Sequence, residues 1–502
     1  MKRTTLSLIA CATALAAVTG FAAVSAPDGS GTDTAAPAAR LPVERTSLLC
    51  PAPSTSDLAE TAYTSFTPVT KGADEKGDAQ LTTAETAADA GKDDKGGKDD
   101  KDDKDEKPVV QPKAPGTPAA GETTGADTPA LIGTAEGGTA PGWTVQQTTE
   151  VAAGTGRGLQ GVNCTAPDTE FWFPGASTAT GRTDYVHLTN PDDSAAVVDI
   201  ELYGKDGALK STVGEGVTVP PHTSESLLLS TLSEVKETDL TVHVGVRSGR
   251  VGAAVQALDD KTGGDWLTAA ADPASELVLP GIPKDATAVR LVLFTPGGTD
   301  ADLKVRLASP SGLITPAGHE TVHVKAGMTT GVDLGEVTRG EAGSLVLTPT
   351  DGAVPVVAAV RVVRGKGDEQ ESAFVPASDP VGARATVADN RAKSTTLALS
   401  APGEAAQVKV TASAGTEGGT PATKTYTIKA GTTQNVDAPV PAGLKGSYAL
   451  TVETVSGGPV HASRILTGSD DDVAAFTVQT LPDDRGMVSV PNADEDLTVL
   501  QK

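Results

Sequence analysis

A chain of 502 residues divides into several domains, because one hydrophobic core does not grow beyond about 250–300 residues. The formal net charge of -25 argues against nucleic acid as a partner, since phosphate binding needs a basic surface. Aromatic residues make up 3% of the chain and there are 55 glycines and 34 prolines, which favours many short strands joined by turns over long helices.

The N-terminus has the pattern of an export signal. Lys2 and Arg3 precede an apolar run that extends to residue 26, as in secretory signals. Small residues at 24–26 suit cleavage, but Pro27 disfavours it, and about 20 apolar residues are enough for a membrane anchor. We expect residues 1–26 to be a signal peptide or a signal anchor, and the protein to be extracytoplasmic, either secreted or anchored at the cell envelope.

Two cysteines, Cys50 and Cys164, follow this segment. An even pair of cysteines in an exported protein indicates a disulfide. Two buried free thiols are the alternative. Zinc binding by the pair is not expected, because there is no CxxC motif and no histidine nearby. We expect residues 40–70 and 143–170 to form a disulfide-linked N-terminal β region.

A change of composition separates those two segments. The run "GKDDKGGKDDKDDKDEKP" at 91–108 alternates opposite charges without an apolar residue, so it cannot bury surface to offset the entropy of ordering. A Pro/Thr/Ala-rich tract follows it. We expect residues 71–142 to be a disordered insert. A cation site is the alternative for the charged run, but the spacing of a calcium-binding loop is missing from it.

The rest of the chain repeats with a period of about 105 residues. The hairpin-like stretches "GVTVPPHTSESL", "TVHVKAGMTTGV" and "TYTIKAGTTQNV" begin at residues 216, 321 and 425. Strands that end near a proline recur in step with them, at Pro191, Pro296 and Pro402. A fixed period indicates stacked structural units.

Each unit contains runs of alternating apolar and polar residues, such as "DLKVRLAS", which are typical of half-buried strands. About seven such strands in about 100 residues indicate an immunoglobulin-like sandwich. The fold class is therefore all-β, with three tandem sandwiches at 171–276, 277–380 and 381–502. The stretch "RTSLLCP" at 45–51 resembles the start of a unit, so the smaller N-terminal β region would be a fourth, interrupted copy.

The stretches "GRGLQGVNCTAPDTEFWFPGAS", "LTNPDDSAAVVDIELYGKDG" and "VPPHTSESLLL" resemble a family of secreted actinomycete proteins of unknown function. Its members share a paired-cysteine N-terminal region and tandem β repeats. The resemblance implies export and β architecture, and it implies no activity.

One motif, "HETVH", matches the HExxH pattern of zinc metallopeptidases through His319, Glu320 and His323. That pattern needs a helix to bring both histidines to one zinc ion. Here it aligns with strands of the sister units, where residues four apart lie about 13 Å from each other. We therefore expect no metal site, no cofactor and no catalytic residue.

Phe171, Trp172 and Phe173 form the densest aromatic cluster. They are interpreted either as core and inter-domain contacts or as a possible ligand contact. The acidic stretches 468–473 and 492–496 are interpreted as solvated loops, with calcium binding as the alternative.

Modular repetition without convergent catalytic groups predicts a non-enzymatic scaffold or binding module of the cell envelope or extracellular space. Its partner would be an unknown envelope protein or a glycan, and membrane contact would occur only through an uncleaved N-terminal segment. Carbohydrate or cell-wall binding through the aromatic cluster is the alternative, followed by a zinc metallopeptidase.

Overall fold

The computed structural model describes residues 39–86, 107–211, 213–468 and 475–491. The expected export segment at 1–26, residues 91–106 of the charged run and the aspartates of both acidic stretches lie outside these ranges. None of the helices within them is long and apolar enough to cross a membrane.

The first sandwich spans residues 45–163. In chain order, the strands of this part of the protein are Ala39–Pro42 (β1), Arg45–Cys50 (β2), Ala59–Phe66 (β3), Gly77–Thr83 (β4), Glu85–Thr86 (β5), Ala119–Thr124 (β6), Leu131–Gly137 (β7), Thr144–Val151 (β8) and Gly158–Asn163 (β9). One sheet has the order β2-β7-β4 and faces a sheet of order β6-β3-β8-β9. Their shared core includes Tyr63, Leu81, Leu131 and Trp143.

The prediction of a disordered insert over 71–142 is wrong for the four strands inside that range, of which the two-residue β5 pairs with the second sandwich. Strands β4, β6 and β7 lie inside that range and complete the first sandwich. They carry few large apolar residues, and burial of small side chains such as Ala79 and Ala135 leaves a weak alternation in the sequence. The disulfide-linked region is thus a sandwich of two sheets, with strands that come from the predicted insert.

The second sandwich spans residues 170–267. Its elements are Glu170–Ala176 (β10), Arg182–Thr189 (β11), Ala196–Gly204 (β12), Gly207–Ala208 (β13), Val217–Val219 (β14), Thr223–Leu228 (β15), the short helix Leu229–Leu232 (α1), Leu240–Ser248 (β16), Gly252–Asp259 (β17) and Gly263–Leu267 (β18). The sheets have the orders β10-β16-β12-β13 and β18-β17-β11-β15. Strand β5 of the preceding segment extends the latter sheet by pairing in parallel with β15.

The third sandwich spans residues 277–376. Its elements are Leu277–Ile282 (β19), Ala288–Phe294 (β20), Ala301–Ser309 (β21), Gly312–Ile314 (β22), Thr321–Val324 (β23), Thr329–Asp333 (β24), Gly343–Pro349 (β25), Val357–Arg364 (β26), a 3-10 turn at Gly367–Glu369 and Glu371–Pro376 (β27). The sheet orders are β19-β25-β21-β22 and β27-β26-β20-β24. Strand β21 shows why these segments form strands: Ala301, Leu303, Val305 and Leu307 are buried, and the residues between them are exposed.

The fourth sandwich spans residues 385–480. Its strands are Ala385–Asn390 (β28), Thr395–Ala401 (β29), Ala406–Gly415 (β30), Gly418–Thr420 (β31), Ala422–Ile428 (β32), Thr432–Asp437 (β33), Ala442–Lys445 (β34), Tyr448–Gly457 (β35), His461–Thr467 (β36) and Phe476–Thr480 (β37). The sheets contain the orders β28-β35-β30-β31 and β37-β36-β29-β33. Separately, Met487–Val490 (β38) pairs with β1 in a two-stranded sheet.

Equivalent strands occupy equivalent places in the second, third and fourth sandwiches, so the prediction of an all-β chain of tandem sandwich repeats is confirmed. The first sandwich follows the same order with fewer strands, since β9-β8-β3-β6 corresponds to β18-β17-β11-β15.

The recurring hairpin stretch has a backbone reason. The residues that precede β15, β24 and β33 include His222, Gly327 and Gly431, which all have positive φ, at 54°, 67° and 68°. Glycine adopts this left-handed conformation without a Cβ clash, and a non-glycine residue does so rarely. The repeat therefore conserves a left-handed turn, with glycine in two copies and histidine in the third.

Candidate functional site at the junction of four edge strands

The last strand of each sandwich lies at a sheet edge, and these four edges converge. Strand β9 contacts β18, β18 contacts β27, β27 contacts β37, and β37 contacts β9. An uncovered edge strand is a template for unwanted pairing. Here the four edges cover one another in a closed cycle.

The first strand of each sandwich makes a second set of equivalent contacts. Strand β2 packs against β17, β10 against β20 and β26, β19 against β29 and β36, and β28 against β3 and β8. The fourth sandwich therefore packs on the first in the same way as each of the others packs on its successor. The junction of the four sandwiches is the place where residues far apart in sequence meet.

The aromatic cluster lies at one of these contacts. Phe171 and Phe173 belong to the core of the second sandwich, and Trp172 is only 6% exposed. The Trp172 ring centroid lies 3.9 Å from that of His243 and 5.4 Å from that of Phe294 in the third sandwich. In this position the three residues pack as core and seam, and the possible ligand contact stays a prediction.

The centre of the junction is polar. Asp265 of β18 is 1% exposed, and its Oδ1 accepts hydrogen bonds from the Gly161 backbone N–H and the Thr477 hydroxyl, both at 3.0 Å. Burial raises the pKa of Asp265 well above its ordinary value, although these hydrogen bonds act in the opposite direction.

A second carboxyl group lies beside it, on β27. Glu371 is 3% exposed, and its Oε2 accepts a hydrogen bond from the Phe476 backbone N–H at 3.2 Å. The other oxygen, Oε1, is buried and has no hydrogen-bond partner among the described residues. Burial raises the pKa of Glu371 to about 7, and Arg157 and Arg364 oppose this shift.

Arg464 of β36 is fully buried at the same junction. Its Nη1 donates to the Asp389 carbonyl oxygen at 2.8 Å and its Nη2 to Gln479 Oε1. Burial lowers the pKa of Arg464 to about 10, so the guanidinium remains charged at neutral pH.

Arg157 joins three sandwiches through one nitrogen. Its Nη2 lies 2.9 Å from the carbonyl oxygens of Lys261 and Asp368 and 3.1 Å from that of Gln370. The residue precedes β9 of the first sandwich, and the acceptors belong to the second and third. Such hydrogen bonds from a charged donor to neighbouring domains fix their relative placement.

The two cysteines form a disulfide, with Cα atoms 4.4 Å apart. Cys50 ends β2 and Cys164 follows β9, and both are buried. The bond therefore ties the two sheets of the first sandwich together near the residues through which it contacts the second.

The HExxH segment is a turn followed by strand β23, and not a helix. His323 Nδ1 lies 2.9 Å from Asp302 Oδ1, so the imidazole already has a carboxylate neighbour. His319 lines a separate open cavity of about 610 Å³ together with Glu336 and Glu341. No group of three or more histidine, cysteine, aspartate or glutamate side chains in the described ranges has the geometry to hold a metal ion.

The structure brings together a serine and a histidine that the sequence did not single out as a pair. Ser226 Oγ lies 2.9 Å from His187 Nδ1, because β15 and β11 pair in a register that sets these residues opposite each other. Burial lowers the pKa of His187 to about 4. The imidazole is thus a weak base, poorly matched to activating a serine near neutral pH.

No curated protein matches the chain. A solved structure titled "Crystal structure of tetra-tandem repeat in extending region of large adhesion protein" is 12% identical, with 88% of this chain and 100% of that chain covered, but its TM-score of 0.11 carries no argument. A family model matches residues 119–439, and the chain therefore belongs to DUF5719, a family of unknown function.

Proposed function

We propose that this protein is a non-enzymatic, exported scaffold or binding module of the cell envelope or extracellular space. The observation that carries the proposal is the closed cycle of contacts among the four sandwiches. Tandem sandwiches joined only by their linkers would move relative to one another, whereas this arrangement holds four surfaces at defined separations.

The contacts of buried residues at the junction support the proposal. Trp172 fills a seam, Asp265 and Glu371 bond to neighbouring strands, and Arg464 and Arg157 cross-link backbone carbonyls. Membership of a family of unknown function adds no activity. A scaffold role therefore accounts for these contacts between neighbouring sandwiches.

Export is supported by the N-terminal sequence pattern and by the buried disulfide, since disulfides persist in oxidising compartments. The resemblance of residues 156–177 and the repeat stretches to secreted actinomycete proteins with paired cysteines supports placing the chain among them. Its partner would be an envelope protein or a glycan that contacts the exposed faces of the sandwiches, and an uncleaved N-terminal segment would be its one membrane attachment.

Two measurements test the proposal. Fractionation of the native host should find the protein in the envelope or the medium with Cys50 and Cys164 oxidised; a cytosolic protein with free thiols would refute export. The purified protein should not hydrolyse peptide or glycan substrates, and zinc-dependent peptide turnover that is lost in His323→Ala would establish an enzyme instead.

Rigidity is tested with spin labels on exposed residues of two sandwiches, Val235 and Val455. A scaffold with fixed spacing should give one narrow distance distribution. A broad distribution would mean that the sandwiches move independently, which removes the basis of the proposal.

A further inference from the structure

All four sandwiches meet at two carboxyl groups. Glu371 comes from the third sandwich and Asp265 from the second. The fourth contributes the N–H of Phe476 and the Thr477 hydroxyl, and the first contributes the N–H of Gly161. We propose that this carboxyl pair is a pH-sensitive latch, which holds the four sandwiches together while it is protonated and loosens their junction when it ionises.

The first sandwich also closes the site sterically. A Cβ built on Gly158 of β9 would lie 2.7 Å from Glu371 Oε1 and 2.9 Å from its Oε2. Glycine thus lets the β9 backbone cover the carboxyl group directly and exclude water. An ionised carboxylate in this place would have one unpaired oxygen, whose desolvation is costly, while a protonated one needs less compensation.

Charged groups face the pair from several elements. Arg364 of β26 and Arg157 of the loop before β9 act on Glu371 and lower its pKa, and Arg464 of β36 interacts electrostatically with Asp265. Strand β37 offers only its backbone and a hydroxyl to the two carboxyls. The negative charge of Glu371 raises the pKa of Asp265, so ionising both carboxyls is costlier than ionising one.

The arginines do not cancel the cost of burial, because both are engaged elsewhere. Arg157 binds three carbonyl oxygens, and Arg364 forms two hydrogen bonds with Asp285. The pKa of Glu371 remains raised, from 4.5 to about 7.

The direction of the pH effect follows from this shift. The closed junction binds the Glu371 proton more tightly than an opened junction, in which the carboxyl group contacts water and its pKa returns to its ordinary value. The stabilisation is complete below pH 4.5 and is lost as the pH rises to about 7. For Glu371 alone, the equilibrium constant for opening should increase about 70-fold between pH 5 and pH 8.

Hydrogen exchange of the strands that cover the carboxyls measures this opening. The amides of 158–163 and 476–480 in the full chain, corrected for the intrinsic pH dependence of exchange, should show the rise. In Glu371→Gln the change between pH 5 and pH 8 should shrink at least tenfold, while Glu369→Gln, two residues away and exposed, should behave like the unmodified protein.

A flat opening constant in the unmodified protein, or parallel pH profiles for it and Glu371→Gln, would overturn the latch. If Glu371→Gln does not fold, infrared difference spectra of the unmodified protein decide the question. A protonated buried carboxyl that ionises near pH 7 supports the latch, and its absence overturns it.

Discussion

Replacing Trp172 by alanine separates the seam interpretation from a ligand platform. The side chain packs between His243 of its own sandwich and Phe294 of the next, and its Nε1 donates to Glu170 Oε1 at 3.0 Å. Val357 completes the apolar side of this contact. The substitution would therefore empty a contact shared by two sandwiches.

The expected loss of stability is large. Truncation of a buried tryptophan or phenylalanine to alanine lowers the free energy of unfolding by about 3–5 kcal/mol, through lost burial and the cavity that remains. Trp172→Phe keeps most of the ring packing and should cost less than half of this. Val455→Ala, at a position that is 57% exposed, should change the free energy of unfolding by no more than about 0.5 kcal/mol.

Urea denaturation followed by circular dichroism measures all three variants against the unmodified protein. A loss below about 1 kcal/mol for Trp172→Ala would refute the packing argument, because a residue that carries the seam cannot be removed at so small a cost. A platform residue would show the reverse behaviour, with little effect on stability and loss of a bound glycan.

Reducing the Cys50–Cys164 disulfide should lower the free energy of unfolding by about 4–5 kcal/mol, since it links residues 114 apart; equal urea midpoints with and without reductant would contradict this. Gly161→Ala should cost about 1–3 kcal/mol, because its Cβ would lie 2.4 Å from an amide nitrogen of the fourth sandwich, whereas Gly403→Ala has open space and should leave the thermal midpoint unchanged. His323→Ala should alter stability by less than about 1 kcal/mol, with identical zinc content by elemental analysis; a loss of bound zinc would reinstate the metal site.

The architecture was predictable where the signal is local. Strands β11, β20 and β29 end next to Pro191, Pro296 and Pro402, and β21 alternates between buried and exposed residues. Both signals lie in consecutive residues of one segment. Only part of the first sandwich was predictable from the sequence. Its strands β4 and β6 use small and polar residues, and the pairing that orders them comes from strands distant in sequence.

The junction was not predictable in the same way. Asp265, Glu371 and Arg464 stand in strands as single charged residues, and such residues usually face solvent. Nothing within their own segments distinguishes a charge that meets water from one that meets a neighbouring sandwich. The sequence singles out Trp172 as either an inter-domain contact or a ligand contact. The choice between the two depends on whether Phe294 of the third sandwich covers the indole ring.

The sequence by itself determined the copied unit, its period and its recurring hairpin stretch, because each depends on residues close together along one chain segment. Only the tertiary structure decided that the last sandwich returns to the first and that carboxyl groups are buried where four sheet edges meet. The physical reason is that the burial of a side chain depends on its neighbours, and at this junction the hydrogen-bonded neighbours are 104 to 212 residues apart in sequence.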